Sequence, residues 1–190
     1  MAVLTPDEVT QLSPNCRVLE LGCGPLKRVP HSVTVDFNPK SVADVIHDLN
    51  VLPYPFPDNE FDIVIAEHVM EHLDDLLKIY EELHRIIKPG GVLYIEVPHF
   101  SSSNFFTDPT HRHAFSSRSF DYFDPEALLS RFHYSEAQFR RKRIHIGSGE
   151  RKPISRAIGR WINKHQALYE QRLAFIFPKE TLNFELEVIK

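Results

Sequence analysis

Short apolar runs, each closed by a polar or glycine-bearing turn, punctuate the first hundred residues of the chain. Residues 17–21, 33–36, 44–49, 61–66 and 92–97 predict five strands, the fourth of them fully buried. Between the last two, Leu73, Leu76, Leu77, Tyr80, Leu83, Ile86 and Ile87 recur every three or four positions. That spacing predicts an amphipathic helix over residues 72–88, ended by Pro89-Gly90-Gly91. Pro25 and Pro30 crowd the link between the first two strands, so its crossover helix is expected to be no more than about a turn. The alternation predicts an α/β fold around a parallel, doubly wound sheet. Residues 99–123 keep neither period but hold His99, His111, His113 and many aromatics, which predicts an ordered functional loop. Asp124-Pro125-Glu126 opens a short helix, residues 138–146 read as a strand, 153–175 as largely helical and 181–189 as a final strand.

Composition narrows the class. At 190 residues, with 42% hydrophobic and 25% charged positions, the expectation is one globular domain over residues 1–190. Cys16 and Cys23 are too few for a disulfide framework and point to a reducing compartment. No basic-then-apolar leader opens the sequence, and no apolar run approaches about 18 residues, so a cytoplasmic location is expected. A net charge of −4 gives no reason to expect nucleic acid.

The first strand runs Val18-Leu19-Glu20-Leu21 straight into Gly22-Cys23-Gly24. Glycines without Cβ atoms let a ligand lie against the main chain at a strand's carboxyl end, where open α/β sheets bind ligands. Asp36 closes the second strand, placed to accept from two ribose hydroxyls, so the pair reads as a nucleoside pocket. A dinucleotide fingerprint needs a third glycine where Lys27 stands, and no phosphate-cradling G-x-x-x-x-G-K-S/T segment exists. S-adenosylmethionine, a nucleoside carrying an amino acid and no phosphate, fits what remains.

With Asp48-Leu49, Phe61-Asp62-Ile63-Val64-Ile65-Ala66-Glu67-His68-Val69-Met70-Glu71-His72-Leu73 and Ile87-Lys88-Pro89-Gly90-Gly91 following in order, the chain resembles the class I S-adenosylmethionine-dependent methyltransferases, in particular the small-molecule group called type 11. The resemblance covers residues 17–98 and continues in the last two strands. It implies a Rossmann-like sheet of seven strands in the order 3-2-1-4-5-7-6, the last antiparallel, with helices on both faces. It implies that Glu20, Gly22, Cys23 and Gly24 line the methionine and ribose portion. Asp36 would hold the ribose with Phe37 against the adenine, Asp48 and Leu49 would meet the adenine edge, and Glu67 and His68 would sit near the sulfonium. Each has a plainer counterpart: Glu20 satisfying backbone N–H groups, Asp48 capping a loop, Cys23 filling space, His68 packing. The shortened first crossover leaves the cofactor exposed unless the 99–123 loop or the 147–178 insertion closes over it.

Methyl transfer needs the acceptor aligned, and a base only where the acceptor is weakly acidic, such as a sugar hydroxyl. Asp108-Pro109-Thr110-His111-Arg112-His113 follows the fifth strand, and His111 or His113 is the expected proton acceptor, with His68 as a further catalytic candidate. The His-x-His spacing also admits a metal reading through His99, Asp108, His111 and His113, but a loop has no spacing rule to support it, and no metal is expected. Residues 140–164 hold nine Lys/Arg against Glu150 alone, which points to an anionic acceptor or a peripheral membrane contact. Ile154, Ile158, Trp161 and Ile162 lie at helical spacing within it. Its plainer reading is a surface helix whose apolar stripe is core. DNA is not expected, since no Asn/Asp-Pro-Pro-Tyr/Phe or Pro-Cys segment is present; RNA is disfavoured. The expected acceptor is a small hydroxylated or anionic molecule, such as a saccharide or lipid precursor. RNA or protein methylation, or a cofactor-binding non-catalytic subunit, are the alternatives.

Overall fold

The structure, a computed structural model, describes residues 15–147 and 153–190. Seven strands form one sheet: β1 (Val18–Leu21), β2 (Val33–Asp36), β3 (Val45–Ile46), β4 (Phe61–Glu67), β5 (Ile87–Pro98), β6 (Gln138–Ile146) and β7 (Thr181–Ile189). Their order is β3-β2-β1-β4-β5-β7-β6, the order the resemblance implied. The first five run parallel, and β7 is antiparallel to both neighbours, with Ile95 opposite Phe184 and Ile144 opposite Phe184 across the other edge.

Alternation along β1 and β4 separates two faces. Leu19, Leu21, Val64 and Ala66 join the main core, whereas Val18, Ile63 and Ile65 join a smaller cluster with Val29 and Tyr94. Helix α1 (Leu76–Ile86) covers the main face through Ile79, Tyr80, Leu83 and Ile86, its first turn capped by Asp75 accepting from Lys78 N–H at 3.3 Å. Among the described residues no helix contributes to the smaller cluster; the 22–32 connection supplies only Val29 and contains no helix, as its prolines predicted.

Five details depart from the sequence expectation. The predicted third strand, 44–49, is reduced to Val45–Ile46, so Asp48 lies two residues beyond it. The predicted 72–88 helix begins only at Leu76, because Met70–His72 forms a separate 3₁₀ turn that leads into extended Leu73. Pro89-Gly90-Gly91 lies inside β5, beside the register shift between Phe61 and Ile63. A side chain at Gly91 would meet Ile87 Cγ2 at 2.6 Å and the Asp62 carbonyl at 2.9 Å. Residues 124–126 open no helix; a 3₁₀ segment forms at Leu128–Phe132 instead. The 99–123 loop holds a one-turn helix, α2 (Ser103–Thr107), and a bridge between His99 and Phe115. Its order has a plain cause: Phe115, Phe120 and Phe123 are buried, and Phe120 and Phe123 pack on Tyr80 at 4.9 and 5.0 Å. Beyond β6, α3 (Pro153–Lys164) and α4 (Gln166–Arg172) insert Ile162 and Tyr169 into the main core.

Candidate active site

The turn after β1 is shaped by contact as much as by conformation. Gly22 has φ +64°, and a Cβ there would lie 2.4 Å from Val69 Cγ2. Gly24 has φ +58° with nothing within 4 Å of where its Cβ would stand, so that face of the turn is open. Asp36, buried at the end of β2, draws the neighbouring turns inward: Gly24 N–H donates to one oxygen and Asn38 N–H to the other, both at 2.8 Å. Each oxygen keeps acceptor capacity for a further donor.

Glu20 behaves as its plainer reading proposed. Its carboxylate accepts from Arg28 N–H at 3.1 Å, Val29 N–H at 2.8 Å and the Ser32 hydroxyl, tying down a connection that has no helix of its own.

A cleft of about 500 Å³ opens at these strand ends, bounded by Gly22, Asp36, Phe37, Asp48 and Leu49 on one side. His68, Val69, His72, Leu73 and Thr110 bound the other. Phe37 is exposed, a free ring at the rim. Asp48 orders its own loop by accepting from Asn50 N–H at 2.9 Å. Leu49 is held from behind: the buried Tyr54 hydroxyl donates to its carbonyl at 3.0 Å, and Glu82 accepts from Tyr54 N–H at 2.6 Å while pairing with Arg85. A smaller recess of about 60 Å³ adjoins at Gly22, lined also by Glu20, Cys23, Arg28 and Glu67. Glu67 pairs there with Arg28; burial pushes its carboxyl up and the guanidinium pulls it back. Burial likewise raises the Cys23 thiol, which suits a space-filling side chain better than a nucleophile. Eight of the nine residues expected at the cofactor therefore line one cleft and its recess, and the ninth, Gly24, reaches it through its N–H bond to Asp36.

The histidines divide differently from expectation. His68 reaches the cleft in a left-handed conformation, φ 53°, with Nδ1 3.2 Å from Glu71 and Nε2 3.5 Å from Glu96. Hydrogen bonds to Glu71 and then Glu96 push it up to about 10, so at neutral pH it is an imidazolium with no lone pair to receive a proton. His113 does not border the cleft; its Nε2 donates to the Leu73 carbonyl at 2.8 Å, and its backbone and that of Arg112 donate to the Glu71 carbonyl. His111 stands behind the cleft wall, its ring 4.6 Å from that of His72. His99 is buried elsewhere between Ser101 and Glu170, so the four-residue metal set of the loop does not converge.

Sequence reasoning held Glu71, His72 and Thr110 within its motifs but gave them no role of their own. Thr110 gives its hydroxyl hydrogen to Asp108 at 2.6 Å and so accepts from His72 Nδ1–H at 2.8 Å, leaving the His72 lone pair on Nε2. His72 had been absorbed into the helical period; only the contact with Thr110, 38 positions away, brings it to the site.

The basic run also resolves. On β6, Arg140 pairs with Glu187 and Glu126, Arg141 with Asp121 and Asp124, and Lys142 with Glu187. Arg156, Arg160 and Lys164 are exposed on α3, whose Ile158 and Trp161 face solvent while Ile162 is buried; Ile154 has no described side chain.

Strand order, glycine turn and strand-end carboxylates are similar to those of the class I S-adenosylmethionine-dependent methyltransferases. Residues 19–95 match the family model described as a methyltransferase domain. A demethylmenaquinone methyltransferase of Lysinibacillus sphaericus is 36% identical over 55 residues, 29% of this chain and 23% of that protein. A probable S-adenosylmethionine-dependent methyltransferase of Mycolicibacterium smegmatis is 31% identical over 99 residues, 43% and 37% of the two chains. The matched segments thus span only 23% and 37% of these relatives' length. Among solved structures, a SAM-dependent methyltransferase from Archaeoglobus fulgidus superposes with a TM-score of 0.61 at 22% identity, covering 97% of this chain and 93% of its own. No helix among the described residues is long and apolar enough to cross a membrane.

Proposed function

We propose that this chain is an S-adenosylmethionine-dependent methyltransferase that methylates a small hydroxylated or anionic acceptor. The observation that carries the reading is Asp36. Its carboxylate is anchored by Gly24 and Asn38, keeps acceptor capacity, and borders a cleft that Asp48 and Leu49 also line. In this reading Asp36 receives the ribose, Phe37 and Leu49 sandwich the adenine, and Asp48 meets its amine. The methionine end runs past Gly22 into the recess of Glu20, Cys23 and Glu67. His68 and its two carboxylates then lie toward the sulfonium, the negative pair offsetting the added positive charge.

The reaction is an in-line displacement, so the protein's main task is to hold the acceptor about 3 Å from the methyl carbon. The acceptor enters over His72 and Thr110. The unprotonated nitrogens of His72 and His111 are the Lewis bases on that side. The small-molecule class is supported by the cleft's size and by relatives named for demethylmenaquinone. Calorimetry with S-adenosylmethionine and S-adenosylhomocysteine tests the cofactor half: Asp36→Ala is expected to weaken binding by roughly tenfold or more, from lost charge-assisted bonds. Unchanged affinity refutes it. Turnover against a panel of hydroxylated acceptors tests the rest; cofactor binding with no turnover across the panel favours the non-catalytic subunit.

A second surface supports peripheral contact with an anionic membrane. Ile158, Trp161, Leu168, Phe175, Ile176 and Phe177 are all exposed around α3 and α4, beside Arg156, Arg160 and Lys164.

A further inference from the structure

Glu71 is wholly buried, yet one of its carboxylate oxygens, Oε2, has no hydrogen-bond partner. A buried carboxylate oxygen without a donor is costly, and such atoms are normally satisfied. The other oxygen, Oε1, accepts from His68 Nδ1. Two more imidazoles crowd the same carboxylate, and neither offers it a proton in its neutral form. His111 Nδ1 lies 2.9 Å from the Phe105 carbonyl and must donate to it, so the lone pair sits on Nε2, 4.0 Å from Glu71 Oε1. His72 spends its Nδ1–H on Thr110, so its lone pair too is on Nε2. His68 therefore serves one carboxylate oxygen, while Oε2 and the two Nε2 lone pairs are left with no donor between them.

We propose that Glu71, His72 and His111 form a binding site for a divalent cation of the zinc class at the acceptor end of the cleft. One ligating atom from each residue lies within 4.8 Å of the other two. Ligands about 2.1 Å from a shared ion in tetrahedral geometry stand about 3.4 Å apart, so the cluster closes by about an ångström onto the metal. Two imidazoles and one carboxylate suit zinc and its neighbours rather than magnesium or calcium, which take all-oxygen sets. The outer hydrogen bonds are those of a prepared site: His111 is fixed by a backbone carbonyl, His72 by Thr110 backed by Asp108, and Glu71 by His68. The loop that carries His111 is also clamped to Glu71, whose carbonyl accepts from Arg112 N–H at 2.7 Å.

Three protein ligands leave a coordination position open. His72 and Thr110 border the cleft, so that position faces the acceptor. Resting on the methyl-transfer reading, this narrows the acceptor to an oxygen nucleophile. A hydroxyl bound to the cation loses its proton to water; its oxygen then bonds to the methyl carbon as the sulfur–carbon bond breaks, releasing S-adenosylhomocysteine.

The test is titration of the chelator-treated protein with Co²⁺, read by visible d–d absorption and calorimetry, with no cofactor or acceptor present. One equivalent bound with a low-symmetry, intense spectrum is expected. His72→Ala, His111→Ala and Glu71→Gln should each weaken uptake tenfold or more, and Thr110→Val about tenfold through His72. His113→Ala, outside the cluster, should leave it unchanged. His72 is partly exposed, so its variant reports even where Glu71→Gln fails to fold. No stoichiometric cobalt signal in the unmodified protein overturns the site, as does uptake that survives both histidine variants. Cofactor binding measured separately distinguishes the two failures: S-adenosylmethionine bound without cobalt uptake sinks the cation alone, and cobalt uptake without S-adenosylmethionine binding sinks the methyl-transfer reading alone.

Discussion

Adding one methyl group to either glycine of the β1 turn separates backbone strain from steric exclusion. Gly22 and Gly24 have nearly the same left-handed conformation, φ +64° and +58°, so alanine at either pays a similar backbone penalty of about 1–2 kcal/mol. Only at position 22 does the new methyl meet a neighbour, Val69 Cγ2 at 2.4 Å, and Val69 is itself buried between the turn and the cleft. Overpacking of that kind adds about 1–3 kcal/mol. Gly22→Ala should therefore cost about 2–5 kcal/mol and Gly24→Ala about 1–2 kcal/mol. Urea denaturation followed by circular dichroism, at constant slope, measures both. Val69→Ala removes the offending carbon, so the double variant Gly22→Ala/Val69→Ala should recover about 1–3 kcal/mol relative to the sum of the singles. The same cycle built on Gly24→Ala should show no coupling. Equal losses at the two glycines, or a zero coupling at position 22, would refute the close approach on which the shape of the cleft depends.

Three further outcomes follow from the packing. Arg141→Met takes the guanidinium from buried Asp124 and leaves Asp121 to Arg118 alone, and should cost about 3 kcal/mol, whereas exposed Arg140→Met should cost about 0–1 kcal/mol; urea midpoints in the reverse order would defeat the assignment. Burial beside Phe139 holds His84 below its usual 6.5, so the unfolded chain takes up a proton before the folded one does. Stability should accordingly fall as pH drops through about 6.5, level off below the folded value, and fall less steeply in His84→Gln; an unchanged pH profile in that variant counts against it. Sedimentation with vesicles of anionic phospholipid should retain the protein at low salt and lose it on Trp161→Asp; equal binding of both proteins removes the membrane reading.

Much of this fold is legible because buried parallel strands announce themselves as unbroken apolar runs, and because β6 and β7 keep their period through charged positions. The cofactor side is equally legible, since Gly22, Gly24, Asp36 and Asp48 sit at strand ends, where chain order alone sets their neighbours. The acceptor side is not. Glu71 lies in a 3₁₀ turn that the helical period of residues 73–87 masks, and nothing local marks it as buried. His72 and His111 meet only through tertiary folding of the loop. The β6 half of the basic run misleads for a related reason: its charge is counted along the chain, while Arg140 is matched across the sheet by Glu187, and Arg143 stands opposite Glu185. Prolines 25 and 30 removed the crossover helix visibly, but not the use of Glu20 as its replacement tether.

The position of β7 governs the order in which this chain can mature. Its residues 181–189 lie between β5 and β6, so β6 has no seat in the sheet, and β5 carries an open edge, until that stretch has emerged from the ribosome. A nascent chain halted before residue 181 would complete the nucleoside-facing half and still present a long apolar border to its neighbours. Chaperone demand should therefore stay high until residues 181–189 are available to close the sheet.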